Sequence, residues 1–145
     1  MYTVKNILEE KGHEVWTVSP EVKVITALEL MREKSVGALV VIFDDKIVGI
    51  LSERDYARKV ILRGKSSIET PVKEIMTFQV HNVGLDTPAE ECMALMSQKR
   101  VRHLPVLDGG KLVGIVSIGD VVKSIISKHS NTIDQLQNYI RGKFL

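Results

Sequence analysis

Two serine–aspartate pairs with the same internal spacing carry the chemistry this sequence offers. Ser52 and Asp55 lie in Val48-Gly49-Ile50-Leu51-Ser52-Glu53-Arg54-Asp55, and Ser117 and Asp120 lie in Val113-Gly114-Ile115-Val116-Ser117-Ile118-Gly119-Asp120, 65 residues later. A serine at a helix start offers a hydroxyl beside free backbone N–H groups and the positive end of the helix dipole, which suits phosphate. A carboxylate one turn on can accept from both hydroxyls of a vicinal diol. The same spacing also describes a capping box, in which the serine caps the helix and the acid caps back. Asp reaches back less easily than Glu or Gln, and its recurrence at one place in two repeats favours a further use of the carboxylate.

The elements that must position these pairs also occur twice. Each pair follows a short Val/Ile run that reads as a buried strand, and helical apolar spacing follows it, over Tyr56 to Leu62 and Val121 to Ile126. Upstream, Val15-Trp16-Thr17-Val18 and Val80-His81-Asn82-Val83 alternate like edge strands. Turns containing Pro20 and Pro88 lead into helices predicted over Val22 to Glu33 and Thr87 to Gln98. Their expected core stripes are Ile25, Leu28, Leu30 and Met31, and Cys92, Leu95 and Met96. Two hairpins follow, Gly37 to Phe43 with Ile47 to Leu51 around Asp44-Asp45, and Arg102 to Leu107 with Leu112 to Val116 around Asp108-Gly109-Gly110.

Residues 15–62 and 80–127 align without a gap and agree at 15 of 48 positions, which marks an internal duplication. A β-α-β-β-α unit of this size has too little core to stand alone, so the two are expected to pack through a pseudo-twofold axis into one α/β module. Short leading segments, Val4 to Leu8 and Val72 to Met76, repeat at an offset of 68, which places three extra residues near Glu10-Lys11-Gly12-His13. The polar stretch from Arg63 to Pro71 reads as a linker. The expected organisation is therefore residues 1–70, residues 71–129 and a C-terminal helix over 130–145, from about Thr132.

Composition excludes several classes. The 145 residues carry 20 basic and 18 acidic side chains, well mixed, so no field of the kind that grips nucleic acid is present. The longest apolar run, Val36 to Phe43, is far shorter than the roughly 20 residues a membrane span needs, and the amino end has no signal-peptide core. The reading is a soluble, cytoplasmic protein. The single cysteine, Cys92, falls within a helical apolar pattern as a buried thiol, and His13, His81, His103 and His129 show no ligand spacing, so no metal is assigned.

These motifs together resemble a tandem of CBS domains, the cystathionine-β-synthase-type repeat, from Val4 to His129. The resemblance rests on Gly-x-x-Ser-x-x-Asp at Gly49 and Gly114, on Arg102-His103-Leu104-Pro105-Val106, and on the leading segment ending Ile75-Met76-Thr77. Lys11 to Trp16, Ser52 to Tyr56 and the tail Gln135 to Ile140 are similar to small stand-alone CBS-pair proteins of bacteria and plant organelles. The resemblance implies a regulatory module binding AMP, ADP, ATP, NAD or S-adenosylmethionine in clefts between the repeats.

Carried over residue by residue, one cleft would combine Ile115, Ser117, Asp120, Arg102 and His103 with the backbone at Val15-Trp16 and Val36-Gly37. The other would combine Ser52 and Asp55 with His81, Asn82 and Val101-Arg102. Where the second repeat has Arg102-His103 the first has Gly37-Ala38, so the Asp55 cleft would depend on Arg54 or Arg58. Lys11 and His13 could line the Asp120 cleft, though a loop is polar by default. Arg102 and His103 could equally be solvated strand-end residues, and Trp16 half-buried packing.

Three functions follow: an adenine-nucleotide sensor acting on an unidentified partner protein, an enzyme, and a structural dimerisation module with vestigial clefts. No nucleophile with a neighbouring base and no phosphate-binding Gly-rich loop supports the enzyme. A homodimer is expected from apolar positions Ile61, Leu62, Ile125 and Ile126 and the stripe Ile133, Leu136 and Ile140.

Overall fold

The computed structural model describes residues 2–144, without the side chains at 130–132, 139 and 141–144, so Thr132 and Tyr139 of the C-terminal stretch lie outside the described side chains. Chain order is α1 (Val4–Lys11), β1 (Thr17–Val18), α2 (Val24–Lys34), β2 (Ala38–Phe43), β3 (Lys46–Ser52), α3 (Glu53–Tyr56), a π-helical turn (Ala57–Ile61), a 3-10 turn (Val72–Glu74), α4 (Ala89–Lys99), β4 (His103–Asp108), β5 (Lys111–Ser117) and α5 (Ile118–Phe144). The chain forms two compact units, Val15–His81 and Met1–Glu14 with Asn82–Leu145. Each unit is therefore one repeat body joined by the leading segment of the other repeat, a division the repeat boundaries in the sequence do not follow.

In the unit Val15–His81, β1 runs parallel to β2, and β2 is antiparallel to β3. The hairpin turns at Asp44 and Asp45, both left-handed (φ 51° and 61°), as a primed two-residue turn requires. Leu39, Val41 and Leu51 of the sheet pack on Val24, Ala27 and Met31 of α2 and on Val60. The leading segment closes this core: Val72 and Ile75 are buried in it, and Thr77 bridges Ile50 through two backbone hydrogen bonds (2.8 and 2.9 Å). The linker also has a structural role, because the carbonyls of Thr70 and Ser67 accept from the first N–H groups of α2 at Val24 and Ile25.

The other unit repeats this plan. Its hairpin β4–β5 turns at Gly109-Gly110 (φ 59° and 82°), and α4 buries Ala89, Cys92 and Met96 at the places where α2 buries Val24, Ala27 and Met31. The stripes are thus rotated from expectation: Ile25, Leu28, Leu30 and Leu95 are only partly buried, since apolar residues on both flanks of each helix hide its true centre. Here α1 takes the closing role, with Val4, Ile7 and Leu8 buried, and the Tyr2 carbonyl accepting from Ala89 N–H (3.0 Å). An isolated eight-residue helix is unstable in water, so α1 owes its existence to this docking, at roughly 1.5–3 kcal/mol for each buried aliphatic side chain.

Two elements differ from expectation for identifiable reasons. The strand expected over Val80 to Val83 shrinks to one bridge, Val83 to Val106. In the first repeat, Val40 N–H donates to Trp16 O (3.0 Å) and extends the ladder by a residue; the counterpart of Val40 is Pro105, which has no N–H to offer His81. The C-terminal stretch from residue 130 is the continuation of α5 rather than a separate helix, as no Gly or Pro interrupts residues 120–141.

Candidate functional site

Both serine–aspartate pairs are built by the same backbone device. Strand pairing sets Ser117 opposite His103 and Ser52 opposite Ala38. The first helical N–H after each serine then donates to the residue before the facing strand, Ile118 to Arg102 O (2.9 Å) and Glu53 to Gly37 O (3.1 Å). This hydrogen bond brings Arg102, His103, Ser117 and Asp120 to one strand end, with Arg102 exposed and His103 partly buried. Gly37 and Val36 lie at the matching strand end of the other unit, beside Ser52.

The capping box is real in both pairs. Ser52 N–H donates to Asp55 Oδ2 (2.9 Å) while Asp55 N–H donates to Ser52 Oγ (3.2 Å); the same bonds at Ser117 and Asp120 measure 2.8 and 3.2 Å. Beyond the cap the two sites part. Asp55 is buried (8 % exposed), and its Oδ1 accepts from Thr77 Oγ1 (3.2 Å) and pairs with Lys59 Nζ (3.2 Å), which also donates to Ile75 O. The ammonium paired with Asp55 is that of Lys59, one helical turn away, while Arg58, one of the two arginines expected to serve this site, is exposed. Thr77 and Lys59 escaped the sequence reading, although the i,i+4 spacing of Asp55 and Lys59 was a signal for the latter.

Asp120 keeps a more open position. Its Oδ2 is paired with Lys11 Nζ at 2.7 Å, the same ammonium donates to Ile115 O at 2.9 Å, and Oδ1 has no partner among the described residues. Burial alone would raise the Asp120 pKa; the Lys11 ammonium and the Ser117 N–H and hydroxyl outweigh it and hold the carboxyl below its ordinary value. Lys11 is the last residue of α1 rather than a loop residue. His13 follows, its Nδ1 3.2 Å from Val113 O.

The glycines of the two motifs have one task. A Cβ on Gly114 would sit 2.9 Å from both Leu8 methyls, and one on Gly49 would sit 2.5 Å from Met76 Sδ and 3.1 Å from Thr77 O. Each glycine thus admits the leading segment against its strand, which delivers Lys11 to Asp120 and Thr77 to Asp55.

The expected site residues divide between the two units. Val15, Trp16, Val36, Gly37, Ser52, Arg54, Asp55, Arg58 and His81 belong to the unit Val15–His81; Asn82, Val101, Arg102, His103, Ile115, Ser117 and Asp120 belong to the other. Trp16 is partly buried and packs on its unit's core, with Lys34 Nζ 4.3 Å from the ring centroid. Cys92 is buried, and burial with help from Glu91 pushes its thiol up to about 11, the behaviour of a packing residue. Among the described residues no group of three or more His, Cys, Asp or Glu could hold a metal, and no helix is long and apolar enough to cross a membrane.

Two repeats, each presenting a capped Ser-x-x-Asp at the junction of strand and helix, define an α/β tandem-repeat protein. The chain belongs to the CBS-domain family, whose model matches residues 4–62 and 72–127. It is 35% identical to the mitochondrial CBS domain-containing protein CBSX3 of Arabidopsis thaliana, over 98% of this chain and 73% of that protein. Among solved structures, a putative signal-transduction protein with CBS domains from Burkholderia ambifaria is 52% identical, with a TM-score of 0.82 over 87% of this chain and 95% of that one. The CBS domain pair of protein MJ0100, solved in complex with 5′-methylthioadenosine and S-adenosyl-L-methionine, is 25% identical, with a TM-score of 0.76 over 88% of this chain and 98% of that one.

Proposed function

We propose that the chain is a regulatory module whose Asp120 site binds an adenine nucleotide of the AMP, ADP, ATP or NAD kind, and whose occupied state alters a partner protein. One observation carries this reading: a part-buried, ionised carboxylate, one oxygen of which has no partner among the described residues, stands at the start of a 27-residue helix, at the strand end that bears Arg102 and His103. A ribose diol matches the carboxylate, and a phosphate matches the helix start and the basic side chains. The two adenosine compounds in the MJ0100 complex support an adenosine-containing ligand, and the basic side chains favour one that carries phosphate.

Calorimetry with AMP, ATP, NAD and adenosine tests this. Charge-assisted hydrogen bonds are worth about 1.5–3 kcal/mol, so Asp120→Ala should weaken AMP about tenfold to a hundredfold. Arg102→Ala should weaken AMP and ATP and leave adenosine unchanged. Wild-type binding of AMP by Asp120→Ala, with failure of Asp55→Ala, would reverse the assignment of the sites.

The same reading takes the module as a homodimer. Ile61, Leu62, Ile126, Ile133, Leu136 and Ile140 are each more than half exposed, whereas Ile125, expected with them, packs on the core of its own unit. A monomer mass by light scattering at micromolar concentration would end the dimer.

A further inference from the structure

Resting on that reading, we infer that Lys11 is the specificity-determining residue of the Asp120 site: it selects adenosine ligands that carry phosphate and disfavours neutral and cationic ones. The backbone and the side chain of Lys11 are held differently. The helix that carries Lys11 is anchored by buried Val4, Ile7 and Leu8, and Leu8 packs over Gly114 two residues before Val116-Ser117, so the backbone of Lys11 has a fixed place beside the site. Its side chain is fixed only at the tip, by Asp120 Oδ2 and Ile115 O, and is 31% exposed. A lysine ammonium on a four-carbon stem can exchange partners without moving its backbone.

A diol that uses both oxygens of Asp120 must share or displace that ammonium, because Oδ2 already accepts from Ser117 N–H and Lys11. A ligand phosphate gives Lys11 a new anionic partner at the moment it leaves the carboxylate, so the exchange costs little. Adenosine offers no such partner, and its diol must compete with an ion pair. The sulfonium of S-adenosylmethionine would bring a second cation beside Lys11. The other repeat shows the contrast. Lys59 bridges Asp55 and the Ile75 carbonyl much as Lys11 bridges Asp120 and the Ile115 carbonyl, but there Thr77 also occupies Oδ1, and that carboxylate has no oxygen to spare.

The test is calorimetry on the full chain, wild type, Lys11→Met and Lys11→Arg, with AMP, adenosine and S-adenosylmethionine, and thermal melts to confirm folding. Loss of one charge-assisted contact should weaken AMP about tenfold or more in Lys11→Met. Adenosine should bind that variant as tightly as wild type or tighter, so the preference for AMP collapses, and Lys11→Arg should retain it. Lys11→Met binding AMP as wild type does, or losing AMP and adenosine in equal proportion, would overturn the inference and leave the nucleotide site standing. Wild type preferring S-adenosylmethionine to AMP would do the same. Wild type binding none of the three would overturn the proposed function itself.

Discussion

Replacing Asp55 by alanine should cost more stability than the same change at Asp120, although the two occupy equivalent positions. The Asp55 side chain is 11% exposed and serves four groups: Ser52 N–H, Ser52 Oγ, Thr77 Oγ1 and Lys59 Nζ. Alanine removes the reciprocal cap of α3, worth about 0.5–2 kcal/mol, and leaves the Thr77 hydroxyl unpaired in a part-buried place, about 1–3 kcal/mol. Lys59 is 30% exposed and can turn to water, so its loss adds little. The sum is about 3 kcal/mol, or a Tm lowered by about 6–12 °C for a chain of this size. At Asp120 the carboxylate is 24% exposed and Lys11 31%, so the ion pair is partly screened and the cost should be about 1 kcal/mol, or about 2–4 °C. Differential scanning calorimetry without ligand, checked by urea unfolding, measures both. If Asp120→Ala lowers Tm as much as Asp55→Ala does, the division into a structural and a ligand-facing carboxylate is wrong.

Three further outcomes are expected. Gly49→Ala should lose about 1–3 kcal/mol in urea unfolding and exceed Gly114→Ala, because its Cβ meets the Thr77 backbone as well as a side chain, whereas Leu8 can turn its methyls away; equal losses would refute this. Ser124→Ala should be neutral or stabilising by up to about 1 kcal/mol, since the buried Ser124 hydroxyl has no hydrogen-bond partner among the described residues; a loss above that would reveal a bond the fold conceals. The Asp120 pKa is depressed in the folded chain, so its stabilisation is complete above its ordinary value of 3.8 and is lost as pH falls through the folded value. The Tm gap between wild type and Asp120→Asn should therefore be constant from pH 5 to 7 and close below 3.8, and a gap that widens on acidification would contradict the sign.

The duplication made much of this fold legible, because a gapless 65-residue offset carries register with it. Leu39 and Leu104, Val41 and Val106, and Leu51 and Val116 are buried as pairs, and even the hairpin irregularities fall at matching places, Val41/Ile42 and Val106/Leu107. Other features depend on contacts across long stretches of chain and leave no periodic trace. Nothing in Val4 to Leu8 says that it closes the sheet of residues 103–117 rather than that of its own repeat. The clue lay in the opposing strand: glycine at 49 and 114 leaves space that something must fill, and what fills it comes from the other repeat. Pro105 is a second such clue, since one missing N–H removes a strand that alternation alone would predict.

The divergence of the two carboxylates follows from where each leading segment ends. After Met76, Thr77 is held on Ile50 by two backbone hydrogen bonds, and its short hydroxyl arm can do nothing but meet Asp55. After Leu8, α1 runs on for one more turn and ends in Lys11, whose long arm reaches Asp120 from a distance. A threonine bonded to the backbone beside a buried acid makes a fixed joint. A lysine at the end of a helix beside a part-exposed acid makes an exchangeable ion pair. The same Ser-x-x-Asp motif, backed by different neighbours, is thus a closed structural node in one repeat and in the other an open carboxylate of the kind the proposed diol and phosphate binding requires, and the three-residue insertion near Lys11 is what separates the two.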